Sequence, residues 1–293
     1  MRLEKIIRRG FQSIGVNPYN SIDSLFLPID RKNIQRTKNI RLIPNCSDRR
    51  GGKYSYAEWA HVIGIFQTLI FLHLPKKEGN KILDLGCGTG LMGIASEPFI
   101  GRDGKYTGID VTKKDIAFCR EHYPSSNFEF IHFDVANAAY APDQKYEKSK
   151  WPVESGSFDL ATALSVWTHL REEDAVFYFK EISRVLKPEG KAIVTLFLLD
   201  ETYRNSLEIR SNQEGRFHMT LQNQWVFDQP SYGSDNWFHT KWAQVPENAI
   251  GLTEAGLERL IASSQMNLLE HHQGNWKEVP GAYFQDVLIF QKN

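Results

Sequence analysis

The residues best placed to do chemistry lie near position 85, where a short apolar segment runs into three closely spaced glycines. These are Gly86, Gly88 and Gly90, and Asp84 precedes them inside the segment. Glycine tolerates positive φ and leaves the backbone bare, so such a turn can present N–H groups to a ligand. A dinucleotide site would need Gly-x-Gly-x-x-Gly, whereas the spacing here is Gly-x-Gly-x-Gly. The pattern therefore predicts a ligand-binding turn between a strand and a helix.

Two further carboxylates end the next two predicted strands. Asp110 follows Gly90 by 20 residues, the spacing at which a carboxylate reaches the ribose hydroxyls of a bound nucleoside. Asp134 closes the strand after that. Each residue alone is equally typical of an acidic residue at the surface end of a strand. Because the carboxyl ends of parallel strands share one edge, we expect these two and Asp84 to point the same way around one ligand.

The segment 158–170, the helix that follows it and the Leu-Lys-Pro-Glu-Gly ending at 186–190 resemble class I S-adenosylmethionine (SAM) methyltransferases. The glycine turn with Asp84 resembles the first motif of that family. In the family, the acidic residue and the glycine backbone hold the methionine part of SAM, and the residue at Asp134 accepts the adenine amino group. The resemblance covers about residues 55–200 well and the last forty loosely. It implies these cofactor-binding residues: Asp84, Gly86, Cys87, Gly88, Gly90, Asp110, Val111, Asp134, Val135, Leu164 and Ser165.

Methyl transfer to a hydroxyl needs an in-line nucleophile held near the methyl group and a base that removes its proton. His169 follows the fourth predicted strand by a few residues, and this places it near the methyl site. We predict that it is the catalytic base. The alternative is a histidine that caps a helix or bonds a backbone carbonyl.

An aromatic-rich stretch at 200–250 interrupts the alternating pattern and is predicted to form an insertion on the substrate side. Its rings could form an apolar lid or stack on sugar faces, or they could build a small second core. Two tyrosines that precede the first long helix could also close over the site. The candidate substrate-binding residues are Tyr54, Tyr56, His218, Trp225 and His239.

Alternating strands and helices must position these residues. We predict strands at 81–85, 105–109, 128–133, 158–163 and 191–198, and a final pair at 266–271 and 284–291. Helices are predicted between them, including 174–186 and one capped by Thr253. The fold class is α/β: a doubly wound, mostly parallel seven-stranded sheet with an antiparallel last strand and an inserted aromatic-rich lid. Residues 1–53 form an extension, and residues 54–293 form the methyltransferase domain.

Composition narrows the partners. The formal net charge is zero, with 35 basic and 35 acidic residues, so a dominant nucleic-acid partner is not expected. Three scattered cysteines and nine histidines show no metal-ligand spacing, so no metal is predicted, and a reducing, cytoplasmic compartment fits. No segment is long and apolar enough to span a membrane. The basic segment 1–15 is predicted to be either a helix packed on the domain or a peripheral membrane contact.

The sequence thus predicts a SAM-dependent methyltransferase that acts on a hydroxyl of a small molecule or of a sugar or glycan. Open alternatives are N- or C-methylation of a small molecule, a nicotinamide oxidoreductase, and a non-catalytic scaffold with the same fold. The acceptor and the oligomeric state are left undetermined.

Overall fold

The computed structural model describes residues 18–74, 76–143 and 148–293. The basic segment 1–15 lies outside the described residues. The helices are α1 (Pro18–Asn33), α2 (Tyr56–His73), α3 (Leu91–Ile100), α4 (Lys113–His122), α5 (Glu172–Val185), α6 (Glu201–Ser206) and α7 (Glu254–Ala262). The strands are β1 (Lys81–Leu85), β2 (Lys105–Asp110), β3 (Phe128–His132), β4 (Phe158–Ala163), β5 (Leu186–Leu199), β6 (Phe227–Pro230), β7 (Trp237–Thr240), β8 (Ile250–Thr253), β9 (Met266–His272) and β10 (Asp286–Lys292).

The parallel part of the sheet has the order β3-β2-β1-β4-β5. Beyond β4, the long strand β5 has two neighbours in succession. Residues 191–196 pair antiparallel with β10, which pairs antiparallel with β9. The end of β5 at 197–199 pairs parallel with β8, which continues antiparallel through β7 to β6. The last strand is antiparallel, as predicted.

The predicted strand number was too low: the described residues contain ten strands, not seven. The three additional strands, β6, β7 and β8, come from the stretch that we expected to be a lid. They extend the sheet because the end of β5 projects beyond β10 and offers its backbone groups to β8. A free sheet edge of this kind pairs readily with any nearby strand.

Local sequence explains where the main helices begin. Ser55 caps α2 by accepting a hydrogen bond from the backbone N–H of Glu58, and Thr253 caps α7 by accepting one from Gly256. Each bond satisfies a backbone donor that the first helical turn leaves unpaired. α3 begins directly after Gly90, which takes a left-handed conformation. The glycine turn is therefore the junction of β1 and α3.

Alternate residues along each strand pack into two hydrophobic cores, one on each face of the sheet. Leu83 and Leu85 of β1 belong to one core, and Ile82 belongs to the other. A third, smaller core joins the insertion to the sheet. It contains Phe197, Tyr203 and Phe227, with Trp225 packed against it. Part of the aromatic-rich stretch therefore forms a small second core, while Phe217, Tyr232 and Trp242 are 37 %, 60 % and 46 % exposed, and a lid remains a prediction.

α1 lies on the rest of the described chain through one face. Leu27 is buried, and the Asp23 carboxylate lies 2.7 Å from the buried guanidinium of Arg49. Arg49 also donates hydrogen bonds to the carbonyls of Pro44 and Tyr54. The helix and the segment that follows it are thereby attached to the start of α2. Among the described residues, no helix is long and apolar enough to cross a membrane.

Candidate active site

The glycine turn adopts positive φ at all three glycines, with values of 65° at Gly86, 50° at Gly88 and 92° at Gly90. A Cβ at Gly86 would lie 2.7 Å from the Val166 side chain, and one at Gly90 would lie 2.3 Å from the Tyr123 hydroxyl. At these two positions the protein's own packing leaves no room for a side chain, so glycine is required. At Gly88 a Cβ would meet only the stem of Arg50, at 3.5 Å. Of the three glycines, Gly88 is therefore the one whose backbone could contact a ligand directly.

Asp84 is inside the protein and not on the exposed edge. It is 1 % exposed, and its carboxylate accepts hydrogen bonds from the hydroxyls of Tyr106 at 2.5 Å and Thr162 at 2.8 Å. Burial raises the pKa of Asp84 to about 7, and the two hydrogen bonds oppose this rise only in part. Asp84 pairs in register with Gly108, two residues before Asp110, so Asp84 and Asp110 lie on the same face of the sheet. The Asp84 carboxylate joins β1 to β2 and β4, and its role in cofactor binding remains a prediction.

Asp110 is the last residue of β2 and lies beside the glycine turn. Its Oδ2 accepts the backbone N–H of Gly88 at 2.8 Å, and its Oδ1 accepts that of Thr112 at 2.7 Å. Burial raises the pKa of Asp110, against the lowering effect of these two bonds. The side chain of Thr112 adds a further hydrogen bond, so the carboxylate is held in a fixed orientation beside the glycine turn. Asp110 thus holds the glycine turn in place, and its contact with a ribose remains a prediction.

The other cofactor candidates differ in exposure. Asp134 is exposed, whereas Cys87 and Val135 are buried. The carbonyl of Val111 lies 3.1 Å from Nε2 of His132. These residues surround the ends of β1, β2 and β3, and their contacts with a cofactor remain a prediction.

The end of β4 is held in an uncommon conformation. Ser165 has φ of 61°, a region that non-glycine residues rarely adopt, and it follows the half-buried Leu164. The Ser165 N–H donates to the Thr195 hydroxyl at 2.8 Å, and the Ser165 hydroxyl donates to Oε1 of Gln285 at 2.9 Å. The surrounding structure fixes this strained residue, a situation frequent at functional sites.

His169 lies in a short 3-10 turn, Trp167–His169, just beyond β4. Its Nδ1 is 2.6 Å from the backbone carbonyl of Glu247, and its Nε2 is 3.2 Å from the hydroxyl of Tyr140. A carbonyl oxygen can only accept, so Nδ1 carries the proton and Nε2 offers a lone pair. Burial lowers the pKa of His169, although the bond to Glu247 opposes this. The ring is therefore a neutral base with a defined tautomer.

Three residues that the sequence did not single out position this base. Asn137 donates from its side chain to the carbonyl of His169 at 3.0 Å and accepts the N–H of Tyr140 at 3.1 Å. The buried carboxylate of Glu247, in the insertion, accepts the hydroxyl of Tyr232 at 2.8 Å. No spacing in the sequence relates residues 137, 140, 169 and 247. Only the turn of chain after β3 and the insertion bring them together.

The five substrate-binding candidates have separate surroundings. His218 lies 2.9 Å from Oε1 of Glu278, and Trp225 donates to the Thr220 hydroxyl at 2.7 Å. His239 lies 3.1 Å from the Ser231 hydroxyl. These contacts belong to the insertion and the C-terminal region, and none of them joins a candidate to His169.

The two tyrosines differ in burial. Tyr54 is half exposed at 50 %, whereas burial raises the pKa of Tyr56. Among the described residues the Tyr56 hydroxyl has no hydrogen-bond partner. The contact of either tyrosine with a ligand remains a prediction.

A second cluster of polar side chains joins β5 to the C-terminal strands. One ligand-type atom from each of Asp200, His271 and Asp286 lies within 4.8 Å of the others, as in a metal site. The ammonium of Lys277 occupies this cluster, 2.8 Å from Asp200 Oδ2 and 2.7 Å from Asp286 Oδ1. The lysine is fully buried. The positive charge of Lys277 balances the two carboxylates, as a metal cation would, so the cluster is structural.

A family model described as a methyltransferase domain matches residues 76–245, more than half of the chain. The chain belongs to this family. The matched residues include the glycine turn, Asp110, His169 and nearly all of the insertion. The recognition as a class I SAM methyltransferase is thereby confirmed, and SAM is the cofactor of the fold described above.

Two curated relatives align with part of this methyltransferase. The ubiquinone biosynthesis O-methyltransferase of Pelagibacter ubique is 30 % identical over 125 residues, which cover 43 % of this chain and 44 % of that protein. The demethylmenaquinone methyltransferase of Staphylococcus aureus is 32 % identical over 131 residues, covering 44 % and 48 %. The chain thus spans less than half the length of these relatives.

Solved structures agree on the fold. A protein from Pyrococcus horikoshii superposes with a TM-score of 0.52 at 20 % identity, over 80 % of this methyltransferase and 92 % of that chain. A SAM-dependent methyltransferase from Mesorhizobium loti gives 0.50 at 17 %, over 77 % and 96 %. The predicted α/β class with a mostly parallel sheet is confirmed, with the strand number corrected as above.

Replacing Asp110 with alanine is expected to weaken SAM binding by roughly 10- to 100-fold, since hydrogen bonds to a charged group contribute about 1.5–3 kcal/mol. Titration calorimetry with SAM and with its demethylated product would measure this. Asp103→Ala is the matched control, because Asp103 is exposed in the turn before β2, at the other end of that strand. Equal affinity of the Asp110 variant and the wild type would remove Asp110 from the cofactor site.

Proposed function

We propose that this methyltransferase transfers the methyl group of SAM to a hydroxyl of a small molecule. The observation that carries the proposal is His169: a neutral imidazole whose protonated nitrogen is fixed by the Glu247 carbonyl, with the other nitrogen directed at Tyr140. An O–H nucleophile must lose a proton, and a positioned base is what this step requires. An acceptor atom that has no proton to lose would not need a base.

The chain's own residues have three tasks in this reaction. When bound, SAM supplies a methyl group on a positively charged sulfur. Asp110 and the Gly88 backbone hold the nucleoside end, and His169 accepts the proton of the acceptor hydroxyl at Nε2 while the new C–O bond forms. The Glu247 carbonyl keeps the Nδ1 proton in place and favours the positive charge that develops on the ring.

Tyr140 contacts the proposed base and is itself exposed. Its ring is 54 % exposed and packs edge-on against the His169 ring at 4.9 Å between centroids. Desolvation of the hydroxyl and the charge of Asp110 raise the pKa of Tyr140, so it stays protonated at neutral pH. An acceptor hydroxyl must either take the place of the Tyr140 hydroxyl at Nε2 or pass its proton through it.

The acceptor is better described as a small molecule than as a glycan. Sugar stacking was suggested by the three tryptophans of the insertion, but Trp237 is fully buried and Trp225 is packed against the third core, while Trp242 is 46 % exposed. One relative is named for O-methylation in ubiquinone biosynthesis and another for demethylmenaquinone. Hydroxylated rings of the quinol type are therefore the first acceptors to try.

The predicted division of the chain is part of this proposal. Residues 54–293 would act as the catalytic domain, and 200–250 would contribute to the acceptor side. The hydrogen bond between His169 and the backbone carbonyl of Glu247 supports this division. Through this bond the insertion helps to position the proposed base.

The test is a transfer assay on the full chain with isotopically labelled SAM, using catechol, a reduced naphthoquinone and glucose as separate probes. Mass spectrometry of the products distinguishes a methyl ether from a ring-methylated product. We expect the methyl ether of a phenolic probe. A C-methylated product would favour the alternative transfer to carbon. SAM binding without product from a broad hydroxyl panel would favour the non-catalytic scaffold.

A further inference from the structure

α1 has two faces of different character. The face toward the domain carries Leu27 and Asp23, which are 3 % and 7 % exposed. The opposite face carries four large apolar residues that are among the most exposed of their kind in the described chain. They are Ile22 at 48 %, Leu25 at 68 %, Phe26 at 63 % and Ile29 at 58 %.

These four residues form one stripe, because positions i, i+3, i+4 and i+7 lie on the same side of an α-helix. Scattered apolar residues on a surface need no explanation, but a contiguous patch does. Burying such a patch gains about 25 cal/mol per Å² of apolar area. The stripe, defined as Ile22, Leu25, Phe26 and Ile29, is therefore a docking surface.

The charge around the stripe indicates what it docks on. The whole chain is neutral, yet residues 1–41 contain nine lysines and arginines (2, 5, 8, 9, 31, 32, 36, 38 and 41) and three acidic residues (4, 23 and 30). One of the acidic residues, Asp23, is paired with Arg49. Lys32 continues the line of the stripe by one turn, and Lys32, Arg36, Lys38 and Arg41 are all exposed. An apolar helix face with flanking cations matches an anionic lipid surface.

We propose that α1 is a membrane-docking element that places its stripe at the headgroup–acyl boundary of an anionic bilayer, with Lys32 and Arg36 against the headgroups. A second copy of the chain is a poorer occupant, because it would bring two strongly cationic segments together. The rest of the chain carries the balancing negative charge, which favours contact through this end alone.

The test uses flotation of the full chain with vesicles of phosphatidylcholine, with and without phosphatidylserine. The wild type should bind the anionic vesicles, and high salt should weaken the binding. Leu25→Glu with Phe26→Glu should lower the partition coefficient about tenfold or more, as should Lys32→Glu with Arg36→Glu. Leu207→Glu with Ile209→Glu is the matched control, because these residues are 39 % and 54 % exposed in the insertion.

Three results would overturn the proposal. The wild type could fail to bind anionic vesicles, including after removal of residues 2–17. The control variant could lose as much binding as the stripe variant. Sedimentation could show a dimer that the Leu25/Phe26 variant dissociates, and the stripe would then be an interface between copies. Thermal unfolding and SAM binding should be unchanged in all variants, because the substituted side chains are on the surface.

Discussion

Replacing His169 with glutamine is expected to lower kcat for a hydroxyl acceptor by roughly 10²–10⁴-fold, the usual contribution of a general base. Glutamine keeps a donor for the Glu247 carbonyl but has no basic nitrogen to accept a proton. SAM affinity should not change, because the hydrogen bonds of the His169 ring go to Glu247 and Tyr140 and not to Asp110 or the glycine turn. Steady-state kinetics on the phenolic probe and calorimetry with SAM separate the two effects.

The pH profile gives an independent check on His169. Burial lowers its pKa below the ordinary value of about 6.5, so the basic form persists into mildly acid solution. The acid limb of kcat should therefore fall below pH 6.5 in the wild type and be absent in the His169 variant. Tyr140→Phe should keep the limb, with a smaller loss of rate.

His61→Gln is the matched control, since His61 is exposed on α2. It should leave kcat, the pH profile and SAM binding unchanged. If the His169 variant turned over at the wild-type rate with the same acid limb, the histidine would be a structural residue that bonds a carbonyl.

Replacing Lys277 with methionine is expected to cost about 3–5 kcal/mol of unfolding free energy, the effect of breaking a buried ion pair from one side. The change removes the ammonium that lies between the carboxylates of Asp200 and Asp286 and leaves both of them without a counter-charge in the interior. Both carboxylates also accept hydrogen bonds from backbone N–H groups. Asp200 accepts the N–H of Tyr203 at the start of α6, and Asp286 accepts those of Leu198 and Gly274. Urea denaturation at neutral pH measures the loss.

The sign of the pH dependence follows from Asp286. Burial favours its neutral form, but the hydrogen bond from His271 and the charge of Lys277 outweigh this and lower the pKa of Asp286. In the wild type, this pair therefore contributes stability above about pH 4 and loses it as the pH falls further. In the Lys277 variant, protonation of Asp286 removes the unpaired charge. The deficit relative to the wild type should therefore shrink in acid.

Lys241→Met is the control for Lys277. Its ammonium lies 2.8 Å from Asp228, but the two side chains are 74 % and 37 % exposed, and such pairs contribute about 0–1 kcal/mol. Adding Asp286→Asn to the Lys277 variant should recover part of the loss. A deficit no larger than that of the Lys241 variant would mean that the cluster tolerates its charges without the lysine.

The strand bounds were predicted best where a buried run of residues is next to a clear turn in the sequence. The bounds of β1 and β4 match the predicted 81–85 and 158–163, because β1 runs directly into the glycine turn and β4 begins just after the turn at Ser155 and Gly156. β5 was predicted at 191–198 but begins at Leu186. The Pro-Glu-Gly turn lies within its span as a register shift, with Glu189 at φ of 61°. A local breaker pattern cannot show that the chain on both sides of it pairs with the same neighbour.

The insertion was the part least open to prediction. Its strands are four residues each, and their pairing depends on how far β5 extends past β10. That overhang is a tertiary property without a periodic signal. The aromatic residues were visible in the sequence, but their packing against Phe197 and Trp276 depends on which strands become neighbours.

The sequence by itself determined the glycine turn, the strand-end carboxylates and the parallel sheet that aligns them, because turn chemistry and strand burial are local. Only the tertiary structure decided that Asp84 bonds the hydroxyls of Tyr106 and Thr162, while Asp110 bonds the backbone N–H groups of Gly88 and Thr112. It also decided which nitrogen of His169 is basic, through a carbonyl 78 residues away in the chain. Burial and hydrogen-bond partners set protonation, and both depend on contacts between segments that are distant in sequence.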